Sequence, residues 1–226
     1  IPEGLKQKAT WIADELSNEC ENVFIKTDLC FGACDLPLND LNVLNADAII
    51  HIGHEPIHRH KNILYLPLHY EISSAELEKI TAKLLKELGK NKIKSIAIVA
   101  NAQYRHCLPE IKKILFNAGI QCNIGKGTER VPCEGQILGC NYSAIRVIQP
   151  SVDANVYFGD GYFHSLGLVY ATKKPVFAVN PIQGTIEILG EKERDKMLRK
   201  RFAAIAKASQ AKSFGIIVSV KSGQRQ

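Results

Sequence analysis

The feature that most constrains this chain is a motif that occurs twice with identical internal spacing. Cys34 is followed by an Asp-Ala pair and then by Gly53, and Cys140 is followed by the same residues at the same distances, ending at Gly159. Self-similarity of this kind indicates repeated supersecondary units. Because each copy carries one cysteine in the same place, the motif predicts that the two thiols converge on one shared centre, as in a metal site.

Composition and length limit the class of protein. The 226 residues are 46% hydrophobic and 23% charged, which is typical of a globular chain with a sizeable core. No apolar run approaches the roughly 20 residues that a membrane-spanning helix needs, and the first residues lack the features of a secretion signal. Seven cysteines at this length favour reduced thiols over a disulfide scaffold. We therefore expect a cytoplasmic protein without a membrane segment.

The positive charge does not by itself indicate a nucleic-acid site. The net charge is +6, and a basic stretch runs over residues 192–201. Acidic residues interleave with the basic ones there, as on a solvated helix face, and neither aromatic stacking residues nor a glycine-rich RNA motif lies beside them. We predict an exposed helix and no direct contact with nucleic acid.

Helical and strand patterns alternate along the chain, which predicts an α/β fold with small parallel sheets flanked by helices. The expected strands cover residues 23–25, 47–52, 63–66, 95–100, 121–124, 154–158, 176–179 and 214–220. The expected helices begin near residues 5, 74, 108 and 192, the second of them opened by a capping box at Ser73 and Glu76.

The repeat also divides the chain. We predict a first α/β repeat at 1–90 without its opening strand, a second at 91–190, and a linking helix with the start of a third repeat at 191–226. The last assignment rests on residues 212–217, which resemble the segment 94–99 that opens the second repeat. On this interpretation the third repeat is cut off.

Thiolates favour zinc, copper(I) or an iron–sulfur cluster. A zinc ribbon would need Cys-x2-Cys pairs, which this chain lacks. The usual radical-SAM loop is Cys-x3-Cys-x2-Cys; Cys30 and Cys34 supply its first spacing, but Pro37 occupies the third position. An iron–sulfur cluster with one ligand from each repeat remains, and buried inert cysteines are the alternative.

Six short motifs occur in an order that carries a family resemblance. They are Pro-Glu-Gly-Leu at 2–5, Phe-Gly-Ala-Cys-Asp at 31–35, Ile-His-Ile-Gly-His at 50–54, Gly-Gln-Ile-Leu-Gly-Cys at 135–140, Phe-Gly-Asp-Gly-Tyr-Phe-His at 158–164, and Phe-Gly-Ile-Ile at 214–217 with Gly-Gln-Arg at 223–225. Over essentially its whole length the chain resembles archaeal diphthamide synthase, the iron–sulfur enzyme of the first step of diphthamide biosynthesis.

The resemblance implies three similar α/β domains that each give one cysteine to a 4Fe-4S cluster, with S-adenosylmethionine bound at the fourth iron. Cys34 matches the first ligand and Cys140 the second; the third has no counterpart in this sequence. The family releases a 3-amino-3-carboxypropyl radical and methylthioadenosine, and the radical adds to a histidine of translation elongation factor 2. Archaeal members act as homodimers.

The substrate-binding residues are less sharply indicated. The backbone amides of Gly139, Gly159 and Gly161 are candidates for holding the methionine carboxylate or the ribose, although each glycine also suits a tight turn at a strand end. His54 and His164 could orient the substrate or donate a proton, or they could be hydrogen-bonded strand-end residues.

Two further assignments follow from position alone. His51 lies on a strand and is expected to be structural. Cys30 could substitute for the third cluster ligand by its position, but it is expected to pack within its loop. No catalytic residue is assigned.

Two other functions compete with this one. Quinolinate synthase also places one cysteine per domain around a cluster in a three-domain α/β fold, but it condenses small acids. The chain could instead be a family member that supports or reduces a catalytic partner, as the paired eukaryotic subunits suggest.

Overall fold

The α/β fold predicted from the alternating patterns is confirmed by the computed structural model, which describes residues 1–57, 60–128 and 130–218. The chain forms two units. The first is Ile1–Leu68 together with Gly215 and the residues after it, and the second is His69–Phe214. The predicted repeat boundaries at 1–90, 91–190 and 191–226 describe a sequence relation and stay a prediction.

The first unit contains a short parallel sheet. Its regular elements are a 3-10 helix at Glu3–Lys8, α1 at Ala9–Leu16, α2 at Leu38–Leu44, β1 at Ile49–Ile52 and β2 at Ile63–Leu66. β1 and β2 pair in parallel, with Ile49 opposite Ile63. Both strands lie where the sequence placed them, β1 starting two residues later than predicted.

Two predicted strands are wrong. Residues 23–25 form no regular element, and the Phe24 side chain is 56% exposed. Phe214 to Val218 also form no strand, and Ile217 is 98% exposed; the rest of that predicted strand lies outside the described residues. A strand needs a neighbour to pair its backbone groups, and an apolar run alone does not supply one.

The second unit is a five-stranded sheet with helices around it. Its helices are α3 at Ser74–Lys90, α4 at Leu108–Asn117, α5 at Ser143–Arg146, α6 at Phe163–Ala171 and α7 at Glu191–Ala208. Its strands are β3 at Ser95–Ala100, β4 at Gln121–Asn123, β5 at Ala154–Phe158, β6 at Val176–Asn180 and β7 at Thr185–Leu189. The strand order is β4-β3-β5-β6-β7, and all pairs are parallel except β6 with β7.

The core lies on both faces of this sheet. The residues from Ile96 to Ala100 of β3 are completely buried, as expected for a central parallel strand. One face packs against α3 and α4 through Leu84, Leu88 and Ile111, and the other packs against α5 and α6. The carboxyl ends of β3 and β5 are therefore held on a rigid frame.

Local signals explain where several elements begin and end. Ser73 and Glu76 form the predicted capping box at the start of α3. α4 ends just before Gly119, which has a φ of +81° that favours glycine. The basic helix α7 has no buried residue, which confirms the predicted exposed helix. Every helix in the described part of the chain is too short or too polar to cross a membrane.

Candidate metal-binding site

Cys34 and Cys140 each lie at the third position of a four-residue turn. The amide of Asp35 donates to the carbonyl oxygen of Gly32 at 3.0 Å, which closes the turn around Cys34. The amide of Asn141 donates to the carbonyl oxygen of Leu138 at 3.0 Å, which closes the turn around Cys140. The repeated cysteines therefore have the same local backbone setting, each within its own unit.

The repeated glycines also have matching positions. Gly53 follows β1 and donates its amide to the carbonyl oxygen of Leu66, at the end of the neighbouring parallel strand β2, at 2.7 Å. Gly159 follows β5 and donates its amide to Val179 of the neighbouring parallel strand β6 at 3.0 Å. Each copy of the motif thus ends at a glycine that extends a parallel ladder by one hydrogen bond.

The turn around Cys140 lies next to the carboxyl end of β3. Ala100, the last residue of β3, accepts a hydrogen bond from the amide of Ile137 at 3.0 Å and donates to the carbonyl oxygen of Gly135 at 2.8 Å. Ligands of parallel α/β sheets bind outside the carboxyl ends of the strands. Cys140 is exposed at this edge, whereas Cys34 is partly buried in the first unit. The predicted convergence of the two thiols spans the two units and stays a prediction.

The three candidate glycines have different surroundings. A Cβ at Gly139 would overlap the ring of Phe163, with only 2.6 Å to Cζ, so this glycine makes room for an aromatic side chain. A Cβ at Gly159 would lie 2.6 Å from the Tyr157 hydroxyl. Gly161 has a φ of +69° and nothing within 4 Å of such a Cβ. Packing therefore explains Gly139 and Gly159, and Gly161 is the candidate whose surroundings are open.

An open cleft borders two of these glycines. It runs from the end of β5 toward β6 and β7, and its lining includes Gly159, Gly161, Ser165, Asn180 and Gln183. The cleft is too open to enclose a ligand by itself.

Several buried polar atoms near the carboxyl end of β3 have no hydrogen-bond partner among the described residues. They are Oδ1 of Asn101, the hydroxyl of Tyr104 and Oε1 of Gln136. Buried polar atoms are nearly always paired in native proteins, so an unpaired group indicates a place for a ligand or a water. No sequence pattern marks these residues, because polar side chains after a strand have no distinctive spacing.

His164 sits beside this edge. Its ring stacks on Tyr157 with 5.9 Å between centroids, and burial lowers the pKa of His164 from its usual value. The Tyr157 hydroxyl donates to the carbonyl oxygen of Asp160 at 3.2 Å, and burial raises the pKa of Tyr157. His164 is therefore a neutral, stacked imidazole at neutral pH, and a role in catalysis stays a prediction.

Two cysteines of the second unit, Cys107 and Cys122, lie in its apolar core. Burial raises the pKa of Cys107 to about 11 and that of Cys122 to about 12. Because the thiolate and not the thiol binds metals, these two side chains are poor ligands at neutral pH.

Three potential metal ligands that no sequence pattern connects lie together in the first unit. The ligand atoms of Cys30, His51 and His54 all lie within 4.8 Å of one another. Burial lowers the pKa of His51 to about 4, helped by the neighbouring His54 and opposed by the carboxylate of Asp35. Burial also lowers the pKa of His54, and both imidazoles are neutral at neutral pH. The sequence predicts only structural roles for Cys30 and His51. It does not predict that their side chains lie close together.

Comparison with known proteins identifies the family. The family model for diphthamide synthesis proteins matches residues 1–226, the whole chain. The chain belongs to this family. The resemblance stated from the six motifs is thereby confirmed.

Two archaeal relatives illustrate the similarity. The 2-(3-amino-3-carboxypropyl)histidine synthase of Pyrococcus horikoshii is 35% identical over 225 residues, which are 99% of this chain and 63% of the relative. The enzyme of the same name from Methanocaldococcus jannaschii is 30% identical over 236 residues, again 99% of this chain and 62% of the relative. The chain thus spans less than two thirds of the length of these relatives.

A solved structure shows the same fold with a cofactor. The crystal structure of Dph2 from Pyrococcus horikoshii with a 4Fe-4S cluster matches this chain with a TM-score of 0.86 at 35% identity. The match covers 100% of this chain and 64% of that one.

Proposed function

We propose that this diphthamide synthesis protein transfers the 3-amino-3-carboxypropyl group of S-adenosylmethionine to a histidine of translation elongation factor 2. The observation that carries the proposal is the pair of matching cysteine turns in a chain that the family covers from end to end. The names of the archaeal relatives support the reaction type. The proposal includes two α/β repeats in this chain and the start of a third.

Cys34 and Cys140 are proposed to hold a 4Fe-4S cluster together with a third ligand from outside this sequence. The donor chemistry fits, because both thiols are free of disulfides and lie in turns instead of the core. When bound, a cluster with three protein ligands has one iron that can hold a sulfonium substrate and supply it with an electron. The cluster-containing relative at a TM-score of 0.86 supports this assignment.

S-adenosylmethionine is proposed to bind along the carboxyl edge of the second unit. Gly161 offers an amide in open surroundings, and Asn101, Tyr104 and Gln136 offer polar atoms that lack partners among the described residues. Gly139 and Gly159 would contribute indirectly by admitting Phe163 and Tyr157. The protein's task is to orient the sulfonium, since orientation decides which carbon–sulfur bond breaks.

The remaining parts of the proposal concern partners and location. We expect a homodimer in the cytoplasm, on the strength of the family resemblance. Sedimentation of the full-length protein measures its mass directly, and a monomer at working concentration would contradict the dimer.

The ligand assignment is tested with the cluster itself. The full-length protein is reconstituted with iron and sulfide under anaerobic conditions, and iron content and visible absorbance are compared for wild type, Cys34→Ala, Cys140→Ala and Cys122→Ser. We expect both turn variants to lose the cluster absorbance and the buried control to keep it. Unchanged iron in both turn variants would overturn the assignment.

The activity is tested with the reconstituted protein, elongation factor 2, S-adenosylmethionine and a strong reductant. Formation of methylthioadenosine with a modified histidine is the expected result. Transfer only after addition of a second subunit would favour the helper function. This outcome is considered because eukaryotic relatives, including the human one at 28% identity, are named subunit 1. Quinolinate formation without methylthioadenosine would favour the other enzyme.

A further inference from the structure

Three side chains of the first unit form a compact set of metal-ligand atoms apart from the repeated cysteine turns. The Sγ atom of Cys30 and ring nitrogens of His51 and His54 lie within 4.8 Å of one another. Cys30 is 8% exposed and His51 is 3% exposed, so these two are shielded from solvent, whereas His54 is partly exposed. Among the described residues this is the one group of three or more such side chains found close enough to hold a metal.

The two imidazoles each have a buried nitrogen without a hydrogen-bond partner in the described part of the chain. These atoms are Nε2 of His51 and Nδ1 of His54. Leaving a buried nitrogen unpaired destabilises a protein, so such atoms are expected to have a partner in the working protein. Two of them beside one thiol indicate a single cation as the shared partner.

The surroundings of the set suit a bound cation. The His54 ring makes a backbone hydrogen bond to Phe31 while its Nδ1 is left over. Histidine ligands of metals commonly use their second nitrogen in this way, which fixes the ring orientation. The carboxylate of Asp35 is close enough to act on both imidazoles, and it adds negative charge beside them.

We propose that Cys30, His51 and His54 bind a zinc ion, in a site separate from the thiols of Cys34 and Cys140. One thiolate with two imidazoles is a donor set that zinc favours, and a fourth position is left for water or a carboxylate. Zinc bond lengths place ligand atoms about 3.4–3.6 Å apart in a tetrahedral site, so the side chains need to close by roughly 1 Å. The ion would tie the Cys30–Cys34 loop to the end of β1 and so hold the first cluster turn in place.

Cobalt(II) is the probe for this site, because a thiolate ligand gives it a charge-transfer absorbance and tetrahedral geometry gives it intense visible bands. Untagged, iron-free, reduced full-length protein that carries Cys34→Ser and Cys140→Ser is titrated with cobalt(II), and zinc is then added to displace it. The two substitutions remove the cluster thiols, which would otherwise bind cobalt as well. We expect one equivalent to bind with both signatures and zinc to remove them.

Variants decide which residues hold the ion. Added to this background, Cys30→Ser should remove the thiolate band and weaken cobalt binding by at least about tenfold. His54→Gln should weaken binding while keeping the thiolate band. Cys122→Ser is the matched control, since Cys122 is a buried cysteine of the second unit at 6% exposure. Circular dichroism of each variant confirms that it is folded.

The outcome is separable from that of the cluster assignment. The Cys34→Ser, Cys140→Ser protein should still bind one equivalent of cobalt with a thiolate band, even though it loses iron after reconstitution. If this protein shows no thiolate band, or if adding Cys30→Ser leaves its cobalt binding unchanged, the zinc site is refuted. The iron content of the reconstituted protein would be unaffected by that failure.

Discussion

The packing of Gly139 against Phe163 gives a prediction that separates a structural role of this glycine from a direct role in substrate binding. A Cβ at position 139 would lie 2.6 Å from Cζ of Phe163. Since carbon atoms pack best at about 3.5–4.0 Å, the ring must retreat by about 1 Å or more in Gly139→Ala. The ring is 70% exposed, so it can swing outward with little loss of burial. We expect a cost of about 1 kcal/mol, the lower end for overpacking.

The assay is a double-mutant cycle followed by thermal unfolding. At the expected cost, Gly139→Ala lowers the midpoint by about 2–4 °C in the wild-type background. In the Phe163→Ala background the clash is absent, and the same substitution should cost nearly nothing, which gives a coupling energy of about 1 kcal/mol. Gly119→Ala is the control. The φ of +81° at position 119 strains an alanine, but nothing lies within 4 Å of the added Cβ. The destabilisation by Gly119→Ala should therefore be equal in both backgrounds. An equal cost of Gly139→Ala in both backgrounds would refute the packing argument.

Three further predictions concern stability. Leu88→Ala should lower the free energy of unfolding by about 2–5 kcal/mol, measured by chemical denaturation, because Leu88 is completely buried. As a control on the same helix, Lys86→Ala at an exposed position should change it by less than about 0.5 kcal/mol. Ser73→Ala should cost about 1 kcal/mol through loss of the α3 cap, measured in the same way. Asp153 accepts hydrogen bonds from two backbone amides at 3.0 and 2.9 Å, and these bonds lower its pKa below 3.8. The stability that the Asp153 carboxylate adds is therefore present above that pH and is lost as the pH falls through the lowered pKa. The stability difference between wild type and Asp153→Asn should therefore shrink on acidification, and a constant difference down to acid unfolding would contradict this.

The central strands could be predicted closely from sequence because they are long, apolar and fully buried. Ser95–Ala100 and Ala154–Phe158 match the predicted bounds, and the capping box placed the start of α3. The short run at 23–25 carries the same apolar signal but pairs with no strand in the described structure, which local pattern cannot reveal. The antiparallel strand Thr185–Leu189 was missed although its central residues alternate between apolar and polar.

One part of the candidate site can also be predicted from the sequence, and another part cannot. The equivalence of Cys34 and Cys140 is visible in the sequence because the motif repeats at a fixed spacing. The meeting of Cys30 with His51 and His54 is not, because it depends on how a loop folds against the end of a strand distant along the chain. The packing of Phe163 over Gly139 is likewise a contact between distant segments.

The fold does not account for the recurrence of cysteine in the repeated motif. The glycines Gly53 and Gly159 each extend a parallel ladder, and Asp153 holds the amino end of β3 through two backbone amides. Cysteine has no such task in the turns, because the middle positions of a turn are best filled by glycine, asparagine, aspartate or serine. A thiol kept at the same turn position in both units, outside the core, is explained by a partner beyond the turn itself. The iron–sulfur cluster proposed above would be such a partner, and the cluster-containing relative supports that proposal.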